Sequence, residues 1–189
     1  MDTRITQFLG HVDTFTRRIA NLETDLWENP SPCEGWSAKE VLDHVIDTQR
    51  DVFGNRGLEL GPRPEGAPHE AWAAHAAAVR SAVTDEETLL ATYDSFFGPT
   101  TLADTLLSFY RFDLIIHAWD IQRAAGNDLE LSDTELAFLE TCIPSWGDIF
   151  YQDGICKRPV EVPDDADRQT RVLALTLSLI HISEPTRQA

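Results

Sequence analysis

The chain of 189 residues, 42% of them hydrophobic, suits one domain with enough apolar side chains to close a single core. Its formal net charge of −17, from 32 acidic against 15 basic residues, opposes nucleic acid and anionic membrane, because like charges repel at long range. No run of roughly 18 apolar residues is present to span a bilayer, and MDTRITQFLGHVD reads as an amphipathic helix rather than a signal peptide, so a cytoplasmic protein is expected.

The first predicted helix runs from about Thr3 to Trp27, with Ile5, Phe8, Leu9, Val12, Phe15, Ile19, Leu22 and Leu26 at helical spacing. ENPSPCEGW is loop chemistry. A second helix starts at Ser37, which can cap it, with Glu40 completing a capping box and Trp36 and Val41 placed for a hydrophobic staple. It should end near Gly54, before the Gly- and Pro-rich connection NRGLELGPRPEGAP. An Ala-rich third helix is expected from about His69 to Val83. The segment from DEETLL to FFGPT reads as either a short helix or an extended turn. The fourth helix, about Thr101 to Ala125, is apolar on every side, which marks a central helix. A fifth follows from Ser132, capped with Glu135, and ends near Gly147. The remainder reads as an extension with one short amphipathic piece. These elements predict an all-α four-helix bundle with an additional short helix and a C-terminal extension.

From Leu177, LSLIHISEPTR reads as the in-frame translation of a sequencing adapter. On that reading residues 1–176 are the domain, 177–189 are a non-native tail, and His181 has no role. Cys33, Cys142 and Cys156 form no CxxC pair and cannot all be bridged within one chain, which fits a reducing compartment. No cation neighbours Cys33 in sequence, so it reads as a packed structural thiol. His11 and His69 read as surface residues and His75 as exposed or at the core edge. The five tryptophans read as core and staple aromatics, with Trp119 also able to wall a pocket.

The fourth helix carries ionisable groups that an apolar helix does not bury without partners. Asp113 and His117 stand four apart on one face, and Asp120 continues the row. A carboxylate and an imidazole at this spacing can both reach one cation. His44, at the border of the apolar stripe of the second helix, is the candidate third ligand. Each residue also has a plainer reading: a satisfied core histidine for His44, an Arg111 or Arg123 partner for Asp113, a backbone carbonyl for His117. Asp120 either orients a ligand or pairs with Arg123.

The segment PCEGWSAKEVLDHVIDTQ resembles the first signature of the DinB-like metalloprotein superfamily, in the branch related to mycothiol-dependent maleylpyruvate isomerase, and FDLIIHAWDIQRAAG resembles the second. The resemblance implies a DinB-like bundle whose three metal ligands map onto His44, Asp113 and His117. It further implies one divalent ion, zinc foremost, with nickel, iron or manganese as alternatives. The partners it implies are mycothiol or a similar low-molecular-weight thiol and a small electrophilic substrate, in a transferase or isomerase that can form a homodimer. Activation of water for hydrolysis is the competing use of such a site. The isomerase has glutamate where Asp113 stands and a C-terminal domain without counterpart here, so its specific activity does not carry over. A non-catalytic metal-binding bundle with a stress-related or regulatory role is the alternative reading, and no catalytic residue is assigned.

Overall fold

The structure is a computed structural model that describes residues 1–95, 98–151, 156 and 158–176. Helix α1 (Thr3–Ile19) starts where the Arg4 backbone N–H donates to the Asp2 carboxylate at 2.8 Å, and it buries Ile5, Phe8, Val12, Phe15 and Ile19 as one stripe. It stops short of the expected Trp27. Asn21, Thr24 and Asp25 offer the backbone side-chain bonds that compete with helix, and the chain re-forms as a 3-10 turn, Thr24–Glu28, with Trp27 buried.

Helix α2 (Ala38–Gly54) has the expected capping box: the Ser37 N–H donates to Glu40 Oε2 at 2.7 Å, and the Glu40 N–H to Ser37 Oγ at 3.3 Å. Helix α3 (Pro68–Ala82) opens on a proline, whose missing N–H costs nothing in the first turn. The ambiguous segment holds both alternatives: a short α4 (Glu86–Leu90), then strands β1 (Thr92–Ser95) and β2 (Gly98–Thr101), paired antiparallel from Thr92↔Thr101 to Ser95↔Gly98. The predicted fourth helix is one run with three windings: α5 (Leu102–Thr105), a wider π-helical turn (Leu106–Tyr110) and α6 (Arg111–Ala124). Helix α7 (Asp133–Trp146) carries the second capping box, between Ser132 and Glu135, and ends at Gly147, whose φ of 56° a side chain would strain. A 3-10 turn (Gly147–Tyr151) and α8 (Arg168–Ala174) form the extension. The adapter-like string from Leu177 lies outside the described residues.

Helix α6 packs on α1 and α2, and α3 closes the bundle against the same two helices. Two apolar clusters meet on α6. Leu114, Ala118 and Ile121 face the bundle core, while Phe112, Ile115, Ile116 and Trp119 face Leu136, Leu139 and Ile143 of α7 and Val172 and Leu173 of α8. Each such large side chain contributes about 1.5–3 kcal/mol of burial. This double packing accounts for a helix apolar all round, and it turns Trp119 away from the bundle interior. Among the described residues, no helix is long and apolar enough to cross a membrane.

Helix α7 is anchored to α1 by a bidentate pair: Arg18 donates to both carboxylate oxygens of Glu135 at 2.7 and 2.9 Å. Burial pushes the Glu135 carboxyl up, but the Arg18 guanidinium and the bonds from Ser132 outweigh it and hold it below the ordinary 4.5. Arg18→Ala is expected to lower the unfolding free energy by about 2 kcal/mol, the scale of hydrogen bonds to a charged group. A depressed carboxylate stabilises the fold above its ordinary value, and that contribution is lost as pH falls through the depressed one. Urea midpoints from neutral to acid pH should therefore show a steeper acid loss in the wild type than in Arg18→Ala; parallel curves would mean the pair contributes nothing.

Candidate metal centre

Helix winding alone puts Asp113 and His117 on one face of α6, with His117 Nε2 3.2 Å from Asp113 Oδ1. The packing of α2 on α6 then brings in His44, whose Nε2 lies 3.9 Å from the same oxygen. The two imidazoles meet edge to face, with centroids 5.2 Å apart. One ligand atom from each of the three residues lies within 4.8 Å of the others. Two donors bound at a tetrahedral angle are separated by about 3.3 Å. The Asp113–His117 pair already has that spacing, and His44 needs to close by a few tenths of an ångström.

The α2–α6 contact is pinned where it matters. The Tyr110 hydroxyl, at the end of the π turn, donates to the Thr48 carbonyl at 2.8 Å, one helical turn beyond His44. At the other end of α6, the Asn29 amide donates to the Ala124 carbonyl at 3.0 Å and holds the loop that precedes α2. That loop is tight: the Ser31 N–H donates to the Trp36 carbonyl at 2.8 Å and the Trp36 N–H to the Cys33 carbonyl at 3.0 Å. Gly35 permits this closure with a φ of 81°. Trp36 does not bury as a staple would; it is 39% exposed, and its ring lies 5.0 Å from that of His44, forming a shelf at the solvent edge.

The electrostatics call for a cation. Asp113 is 6% exposed, its Oδ2 is buried with no hydrogen-bond partner, and its ion-pair partners among the described residues are the two histidines. Asp120 is fully buried and, rather than pairing with Arg123, accepts from His117 Nδ1 at 2.9 Å. One imidazole thus stands between two carboxylates. Burial pushes His117 down, but Asp113 and Asp120 overcome it and raise it well above 6.5. Burial lowers His44, against the pull of Asp113. A buried carboxylate with one oxygen beside two imidazoles and the other without a donor among the described residues fits a divalent cation well.

Three residues differ from their sequence reading or gain a partner that it could not show. Cys33 packs against the bundle core as expected, and its Sγ also donates to Asp120 Oδ2 at 3.3 Å. The partner comes from α6, so its sequence neighbours could not reveal it. His75 is not at the core edge but fully buried, with Nε2 3.0 Å from Gln49 Oε1, and burial brings it down to about 4. It is not among the groups that meet at the centre. His11, read as a surface residue, is half-buried.

The family described as mycothiol maleylpyruvate isomerase N-terminal domain matches residues 9–122, a span that contains His44, Asp113 and His117. Two uncharacterised proteins of Mycobacterium tuberculosis, from strains CDC 1551 and H37Rv, are each 30% identical over 129 residues, covering 66% of this chain and 68% of theirs. No solved structure matches significantly.

In protein treated with a chelator, the contacts of protonated His117 should stabilise the fold below 6.5 and be lost as pH climbs through its raised value. Asp120→Asn should move that loss to lower pH. An imidazole resonance of His117 titrating at or below 6.5 would show that the carboxylates do not hold the ring charged.

Proposed function

The chain belongs to the mycothiol maleylpyruvate isomerase N-terminal domain family of the DinB-like superfamily, and on that premise we propose that His44, Asp113 and His117 hold one divalent cation at which a low-molecular-weight thiol is activated to attack a small electrophile. The observation that carries this reading is the buried Asp113 carboxylate, whose Oδ1 lies near both imidazoles and whose Oδ2 has no hydrogen-bond partner among the described residues. Two nitrogens and one carboxylate suit zinc first, with nickel, iron and manganese as alternatives. Mycothiol or a close analogue is the thiol that the family's description points to.

When bound, the cation supplies a positive charge that favours the thiolate form of a coordinated thiol. The chain's own residues prepare the place for it. Asp113 contributes the negative charge and a free acceptor. Asp120 accepts the Nδ1 proton of His117, which fixes the ring and leaves Nε2 facing Asp113 and His44. With its side chain 32% exposed, His44 forms the solvent-facing edge, and the Trp36 ring beside it offers an apolar surface to an incoming electrophile. Transferase and isomerase chemistry share this thiolate attack and differ in what becomes of the adduct. A cytoplasmic setting supplies the reduced thiol that either requires.

Protein purified without an affinity-tag metal is expected to carry about one divalent ion per chain, lost in His44→Ala and His117→Ala. Asp120→Asn, which leaves His44, Asp113 and His117 in place but loosens the hold on the His117 ring, should weaken the ion by about 10–100-fold. Turnover of an electrophile panel should require added thiol. Absence of any ion after reconstitution overturns the centre itself. An ion that raises the melting temperature, with no thiol-dependent turnover, overturns the chemistry and leaves a non-catalytic metal-binding bundle.

A further inference from the structure

The face of His117 turned away from His44 carries a second constellation. Its Nδ1 lies 2.9 Å from Asp120 Oδ2, and the same oxygen accepts from Cys33 Sγ at 3.3 Å. One donor atom each from Cys33, His117 and Asp120 falls within 4.8 Å of the others. Asp120 is fully buried, and its other oxygen, Oδ1, has no hydrogen-bond partner, which leaves a buried carboxylate with unused acceptor capacity. Cys33 is half-buried, so the cluster remains approachable from solvent.

We infer that Cys33, Asp120 and His117 Nδ1 form a second cation site, selective for thiophilic ions such as cadmium, that shares its imidazole with the first. Sulfur, nitrogen and carboxylate donors around tetrahedral zinc sit about 3.4–3.6 Å apart, and farther around the larger cadmium, so the contacts at 2.9 and 3.3 Å open when an ion enters. On binding, the Cys33 S–H bond is replaced by a sulfur–metal bond and the His117 Nδ1–H bond by a nitrogen–metal bond, and both protons pass to water. His117 then keeps its proton on Nε2, where Asp113 Oδ1 at 3.2 Å accepts it. The carboxylates on either side of the ring thus allow both tautomers. A neutral imidazole has one nitrogen lone pair, so an ion at one site excludes His117 from the other. The site choice follows the softness of the ion: thiolate favours cadmium, while the two imidazoles and Asp113 favour harder ions.

Titration of chelator-treated protein with cadmium chloride, followed by the ultraviolet thiolate-to-cadmium absorption, tests the inference. Wild type should develop the band to saturation, and Cys33→Ser and Cys33→Ala should lose at least nine-tenths of it (~10-fold) while retaining wild-type circular dichroism. His44→Ala, which disables the first centre, should keep the band. Two outcomes overturn the inference: a band unchanged in both Cys33 variants, which would place the ion on Cys142 or Cys156, or a band abolished by His44→Ala, which would make this cluster an annex of the first centre. Neither outcome bears on zinc held by His44, Asp113 and His117, which elemental analysis reads separately.

Discussion

The molecule is organised around an imidazole held between two carboxylates inside a helix that is otherwise apolar. Asp113 and Asp120 are both nearly inaccessible on α6, and His117 touches one with each ring nitrogen. Burying two carboxylates is costly unless a positive charge accompanies them. Protonated His117 supplies one such charge within the chain itself. A metal ion supplies a stronger one, and the same desolvation that burdens the fold then becomes affinity for the cation.

The surrounding architecture keeps this polar row in place. Two independent cores, one in the bundle and one under α7 and α8, clamp α6 from opposite sides and leave little freedom for it to rotate or slide. The π turn before it adds a wide winding at the point where Tyr110 bonds across to α2. Such turns recur next to functional sites because they re-aim the helix that follows. On the α2 side, the capping box at Ser37 fixes where that helix begins, and hence where His44 stands, two turns later. The folded loop between Asn29 and Ser37 brings both Trp36 and Cys33 to the same row from outside.

This arrangement places a carboxylate and an imidazole one helical turn apart, a pair able to hold a cation, beside a thiol that the loop delivers. Proton position on His117 is the link between the two sides, since each carboxylate can accept from the nitrogen it faces. The chain's family membership covers the bundle and the His44, Asp113 and His117 face. The packing of α7 and α8 lies beyond the matched span, and it is this layer that seals the outer side of α6.

Much of this was open to local reading. Helical periodicity located α1, α2, α3, α6 and α7. The serine caps with glutamate three residues on marked the starts of α2 and α7, because capping is decided within one turn of chain. The Asp113–His117 pairing followed from helix geometry for the same reason. Reading failed where the deciding contact was distant. The π turn forms where Tyr110 bonds across to α2. His75 is buried because Gln49 of α2 meets it, and Cys33 gained a carboxylate from α6. Local sequence determined the rods, their caps and the acid–imidazole row. Only the tertiary fold decided which side chains of other rods and loops reach that row, since contacts between segments far apart in the chain leave no periodic trace in either one.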